Sequence, residues 1–140
     1  MQKFNFLDDL TSDVMFEAFG RTLEELFVHA AEALFSVVCD INRVQELKTI
    51  PLTIEAHDEE ALLFKWLSTL LTESEIHGLF LSAFRITALD KGTVLKLQAV
   101  AAGEPVSQEK GDTVVKGITY YGFKLEKHGD FYRAQVAMDI

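Results

Sequence analysis

The chain is poor in the residues that build most small sites. Its 140 residues include one cysteine, Cys39, so no disulfide can form within it and no Cys-rich zinc site exists. Basic residues are scarce: 13 Lys and Arg stand against 22 Asp and Glu, for a formal net charge of −9. That balance excludes a protein that grips a phosphate backbone across a broad surface, which needs clustered Lys and Arg. No uninterrupted apolar run approaches the ~18 residues of a membrane helix. The start, MQKFNFLDDL, lacks the basic opening, long apolar stretch and small-residue cleavage site of a secretory signal. There is no Walker-type phosphate loop and no dinucleotide fingerprint. His29, His57, His77 and His128 form no HxxH pair, so scattered surface roles are expected of them rather than zinc ligation.

What remains is a globular composition, 49% hydrophobic and 25% charged, with only two prolines. The expectation is one acidic, cytoplasmic domain over 1–140, with no membrane segment and no direct nucleic-acid binding. Its oligomeric state does not follow from the sequence.

The pattern along the chain supplies the elements. Phe4 to Leu7 is a short apolar start, followed by the acidic, turn-prone 8–13. The alternation from Val14 to Phe19 predicts a strand ending at Gly20. Thr22 and Glu25 have capping-box spacing, and Leu23, Leu26, Phe27, Ala30, Ala31, Leu34, Val37 and Val38 share one helical face ending near Cys39-Asp40. Cys39, at the end of that face, is expected to be a buried structural thiol. Leu52 to Ala56 reads as a strand with Pro51 at its edge. Asp58 is an N-cap for a second helix with Ala61, Leu62, Leu63, Trp66, Leu67, Leu70 and Leu71 on its apolar side. Leu79–Ala88 and Thr93–Ala101 flank the turn Asp90-Lys91-Gly92. Val114–Leu125 and Phe131–Met138 flank His128-Gly129-Asp130. Residues 103–113 are polar, contain Pro105 and read as a mobile loop. The order predicts an α+β fold, with two helices on one face of a mostly antiparallel sheet.

Chemistry concentrates in the acids at the two ends. Asp8, Asp9 and Asp13 lie in one short loop, and Asp139-Ile140 follows the last strand. If the first and last strands are neighbours, Asp13, Asp139 and the Ile140 carboxylate converge, and such hard oxygens suit Ca²⁺ or Mg²⁺ rather than a soft metal. Otherwise Asp13 caps a turn and Asp139 is a solvated chain end. Lys116 sits on a predicted strand with Ile118 and Tyr120 on its side. It is either a cation placed near the acids or a lysine whose stem lies on apolar surface with its head in water.

Six segments in order carry a resemblance. They are Phe6-Leu7-Asp8-Asp9-Leu10-Thr11-Ser12-Asp13-Val14, the first-helix stretch of Gly20 to Phe27 with Ala30 to Phe35, Asp58 to Leu67, Gly103-Glu104-Pro105, Val115-Lys116-Gly117-Ile118-Thr119-Tyr120, and Asp139-Ile140. Along essentially its whole length the chain resembles an archease. The resemblance implies strand–helix–strand–strand (SHS2-like) modules, one set inside another. It also implies a role that is not itself enzymatic: activating an RtcB-type RNA ligase in tRNA splicing and RNA repair by promoting its guanylylation and repeated turnover. The family's metal-binding aspartates map onto Asp13 and Asp139, with the terminal carboxylate on Ile140, and its lysine onto Lys116. The implied cofactor is a divalent ion, Ca²⁺ first, with Mg²⁺ or Mn²⁺ as alternatives. Leu10 and Tyr121 stand where the family usually has histidines, and Glu109-Lys110 where it has Arg-His. Two other readings stay open on the residues alone: a metal-dependent phosphoester hydrolase using the same acids, and a small-molecule-binding or chaperone-like module.

Overall fold

The computed structural model describes residues 1–7 and 13–140. Seven strands and two long helices occur among them: β1 (Phe4–Leu7), β2 (Asp13–Gly20), α1 (Leu23–Val38), β3 (Lys48–Ala56), α2 (Glu59–His77), β4 (Leu79–Lys91), β5 (Leu95–Pro105), β6 (Gly117–His128) and β7 (Phe131–Asp139). The strands divide between two sheets instead of forming the single one expected: β1-β2-β7-β6 and β3-β5-β4. Every pairing is antiparallel.

The connectivity is nested. β3-α2-β4-β5 forms one strand–helix–strand–strand unit. It is inserted between α1 and β6 of a second unit, β2-α1-β6-β7. Each unit orders its strands first-third-second, and β1 extends the outer sheet. This is the arrangement that the resemblance implies. Each helix touches both sheets, so their apolar positions merge into one core.

The helices start where the sequence places them. The Thr22 hydroxyl accepts the Glu25 N–H at 3.1 Å, and the Glu25 carboxylate accepts the Arg21 N–H at 3.1 Å, one residue before the cap. Asp58 accepts the Ala61 N–H at 2.7 Å. α1 is buried at Leu23, Leu26, Phe27, Ala30, Ala31, Ala33, Leu34 and Phe35, which is wider than a single stripe because sheets lie on two sides. Ala61, expected on the apolar side of α2, is exposed. Trp66 is fully buried and donates its indole N–H to the Phe27 carbonyl at 2.9 Å, joining the helices. None of the helices among the described residues is long and apolar enough to cross a membrane.

Several boundaries move for physical reasons. Pro51 lies inside β3, tolerated because β3 is an edge strand. The β4–β5 turn shifts to Gly92–Val94, because Lys91 pairs with Leu95 and Asp90 with Lys96. β5 continues through Pro105, so 103–105 is strand and not loop. At Gly103 a Cβ would overlap the Phe80 carbonyl, beside a bulge between Leu81 and Ala83. The remainder of the polar segment, expected to be mobile, is fastened to α1. Asp40 N–H donates to Lys110 O at 2.8 Å, Asp112 N–H to Val38 O at 3.0 Å and Thr113 N–H to Val37 O at 3.0 Å. The last two bonds satisfy carbonyls that the end of α1 leaves open.

Candidate functional site

The two ends of the outer unit meet at one corner. β2 and β7 pair with Asp13 directly opposite Asp139 and Val14 opposite Met138. Directly opposed residues project to the same face, so both carboxylates share the side of the sheet away from buried Phe16 and Val136. Gly117 at the start of β6 also lies opposite Asp139. Asp13 is half-buried, while Asp139 and Ile140 are exposed. The corner therefore presents two facing carboxylates, with Ile140 following at once.

Lys116 is placed differently from the expectation. It lies one residue ahead of β6, and its tie to the corner is the backbone N–H, which donates to the Asp139 carbonyl at 2.7 Å. Its side chain is exposed and is not among the ion pairs of the described residues. The shared parity with Tyr120 is broken by a bulge between Thr119 and Lys124, where four β6 residues face one on β7. Asp8, Asp9 and Leu10 lie outside the described residues.

The corresponding corner of the inner unit offers a contrast. Its first strand begins at Lys48, opposite Gly103, and Glu104 follows. Lys110 Nζ lies 2.9 and 3.1 Å from the two Glu104 carboxylate oxygens, and the Gln45 N–H donates to the same group at 2.7 Å. The Lys110 hydrogen bond, aided by Gln45, holds the Glu104 carboxyl below its usual pKa. This corner has a built-in cation. The Asp13–Asp139 corner has two acids and, among the described residues, no such partner.

That difference is a test of fit for a metal. Like charges directly opposite in a sheet repel unless a cation or proton intervenes. Two carboxylates and a third on Ile140 form a hard-oxygen donor set suited to Ca²⁺, Mg²⁺ or Mn²⁺. No group of three His, Cys, Asp or Glu side chains among the described residues could hold a metal. A cation here needs the Ile140 carboxylate, main-chain oxygen or water to complete its shell.

The remaining candidates fall away from this corner. Cys39 is buried with its thiol 3.3 Å from the Phe35 carbonyl, and burial pushes its pKa from 9.0 up to about 12, as expected of a structural thiol. His77 pairs with Glu73 at 3.1 Å and His128 with Glu126 at 3.7 Å. His29, expected at the surface, is half-buried with its Nδ1 2.6 Å from the Phe19 carbonyl.

The fold is shared with similar chains. The model of the Archease protein family (MTH1598/TM1083) matches residues 4–140. The chain belongs to the archease family. A relative from Sulfurisphaera tokodaii, called protein archease, is 34% identical over 142 residues and is covered in full, as is this chain. The solution structure of Methanobacterium thermoautotrophicum protein 1598 superposes with a TM-score of 0.86 at 29% identity, over 100% of both chains. A Thermotoga maritima crystal structure described as an archease, possible chaperone, matches at a TM-score of 0.63 and 20% identity, covering 100% of this chain and 98% of that one. It bears on the fold alone.

Two features of this archease escaped sequence reasoning. The Glu104–Lys110 pair spans six residues that looked like loop. Its signal was an acid and a base in a segment otherwise too polar to pack. The second is an aromatic stack of Tyr120 on Phe64, which needs β6 to bulge toward α2. No local pattern announces that contact.

Proposed function

We propose that the protein is a non-catalytic, metal-binding activator of an RtcB-type RNA ligase in tRNA splicing and RNA repair, acting in the cytoplasm. Family membership makes the reading available. The observation that carries it is the direct opposition of Asp13 and Asp139 at an exposed corner. In this reading Asp13, Asp139 and the Ile140 carboxylate hold a divalent ion, Ca²⁺ first and Mg²⁺ or Mn²⁺ as alternatives. A bound divalent ion supplies positive charge, which in guanylyl transfer counters charge on the triphosphate. The chain's own part is to present the carboxylates on a rigid β2–β7 ladder at an accessible tip. Lys116, exposed beside that tip, contacts the ligase. The net charge of −9 supports action on a protein partner and not on RNA directly.

The test is a guanylylation assay with purified ligase. The wild-type protein should speed ligase guanylylation and permit repeated turnover, and Asp13→Ala or Asp139→Ala should remove most of the gain. Identical ligase rates with and without the wild-type protein would sink the proposal. A chaperone-like or small-molecule-binding module is the second reading, and the large open cleft beside α2 favours its chaperone-like form. Hydrolysis of phosphoesters by the protein alone, lost in Asp139→Ala, would instead favour the hydrolase reading.

A further inference from the structure

A cleft of about 1450 Å³ opens between the first half of α2, the end of β3, the start of β5 and the bulge of β6. It lies apart from the Asp13–Asp139 corner and includes none of its residues. Small-molecule pockets occupy roughly 300–1,000 Å³ and enclose most of their ligand. This cleft is larger and open, which fits a length of polypeptide better than a metabolite.

Its floor is aromatic. Tyr120 lies flat on Phe64, with ring centroids 4.0 Å apart and planes within 3°, and Phe123 meets Phe64 edge-on at 5.1 Å. Tyr120 is nonetheless 78% exposed, so one face of its ring is covered and the other is open. The bulge creates this display: Gly122 takes φ +62°, and the Gln135 amide donates to the Gly122 carbonyl at 2.9 Å. The ring is thus held in place and not left on a loose loop.

The rim is acidic. Glu55, Asp58, Glu59 and Glu60 line the cleft against His57 and one lysine, Lys65, whose ammonium is occupied by the Glu55 carbonyl at 3.0 Å. Three of these acids have local work at the start of α2. Asp58 caps it, Glu60 accepts the Leu125 N–H at 3.3 Å, and Glu59 lies 3.6 Å from Lys91. Glu55 forms no ion pair among the described residues, and the lysine opposite it on β5 is Lys96. An open aromatic face beside an excess of carboxylates selects against nucleic acid and acidic peptides. A planar guanidinium satisfies both features at once, stacking on the ring while its N–H groups meet carboxylate oxygens.

We propose that this cleft docks an arginine-bearing basic segment of a protein partner, with a guanidinium stacked on the open face of Tyr120. The site does not depend on the metal corner, so it stands or falls separately from the ligase reading.

The test uses the full chain in EDTA, at fixed moderate salt, with a twelve-residue arginine-containing peptide followed by fluorescence anisotropy and amide chemical-shift mapping. Matched peptides carry lysine, or uncharged citrulline, in place of arginine. The expected result is binding with shifts confined to the cleft, at least fivefold tighter for arginine than for lysine and lost for citrulline. Tyr120→Ala should weaken it tenfold or more, Glu55→Gln about threefold, and Tyr120→Phe little. Glu46→Gln, an exposed acid outside the cleft, should leave it unchanged. Equal binding of arginine and lysine peptides with shifts scattered over the acidic surface would overturn the proposal. So would insensitivity to Tyr120→Ala, tighter binding of a neutral apolar peptide, or self-association that buries Tyr120.

Discussion

The sharpest consequence of the Asp13–Asp139 pairing is a stability change that reverses sign with calcium. Facing residues on antiparallel strands have Cα atoms about 4.5–5.5 Å apart. At ~5 Å, two unit charges repel by ~0.8 kcal/mol in bulk water and by ~3 kcal/mol at the effective dielectric typical near a protein surface. Asp139 is exposed and Asp13 only half-buried, so the lower end applies. Like charges directly opposed in a sheet cost roughly 0.2–1 kcal/mol. Asp13→Asn keeps the shape and removes the repulsion. In EDTA at low ionic strength the variant should therefore be more stable than wild type by about 0.5–1 kcal/mol, or roughly 2–4 °C in Tm for a chain of this size. Raising the salt to ~1 M, where the Debye length is ~3 Å, should shrink that difference. In Ca²⁺ the order should invert. A ligand at a hundred times its Kd stabilises the native state by ~2.7 kcal/mol, and the variant, lacking one of the carboxylates, should gain much less. Differential scanning calorimetry under the three conditions reads all of this. A variant less stable than wild type in EDTA would refute the repulsion argument. A wild type whose Tm ignores Ca²⁺, Mg²⁺ and Mn²⁺ would refute the metal assignment.

Other outcomes follow from single contacts. Trp66→Phe removes the buried indole N–H that reaches Phe27 O and leaves a small void, so urea unfolding should show a loss of about 1–3 kcal/mol. Gly103→Ala drives a Cβ into the Phe80 carbonyl of the neighbouring strand, and the β4–β5 bulge must open. The cost should be about 2 kcal/mol or more, with amide exchange rising first around Phe80–Leu81. The Cys39 thiol, raised to about 12, should resist thiol reagents at neutral pH until the protein is denatured. Because its folded pKa lies above 9.0, its contribution is complete below pH 9 and is lost as pH rises towards 12. Cys39→Ala should flatten that alkaline decline, as read by unfolding midpoints across the range.

Much of the architecture was legible because it is local. Thr22 with Glu25, and Asp58 before an apolar run, mark helix starts through bonds that span three or four residues. Strand alternation and the Gly129 turn mark the β6–β7 hairpin in the same way. What misled was equally physical. Pro51 read as a strand edge and Pro105 as part of a loop, yet an edge strand and a strand end accommodate them. The segment after Pro105 read as mobile because its composition is polar, but its backbone satisfies the open end of α1.

The residues at the candidate corner divide along the same line. Composition and spacing alone identified Asp13 and Asp139 as acids flanking strands. A sequence carries strand periodicity within itself, because alternate side chains fall on one face whatever the partner. It does not carry the identity of that partner. Only the tertiary structure put β2 beside β7 in the register that sets Asp13 against Asp139, 126 positions apart. Only the fold gave Tyr120 to Phe64. Those pairings are decided by how two nested units close over one shared core, and no window of neighbouring residues encodes that closure.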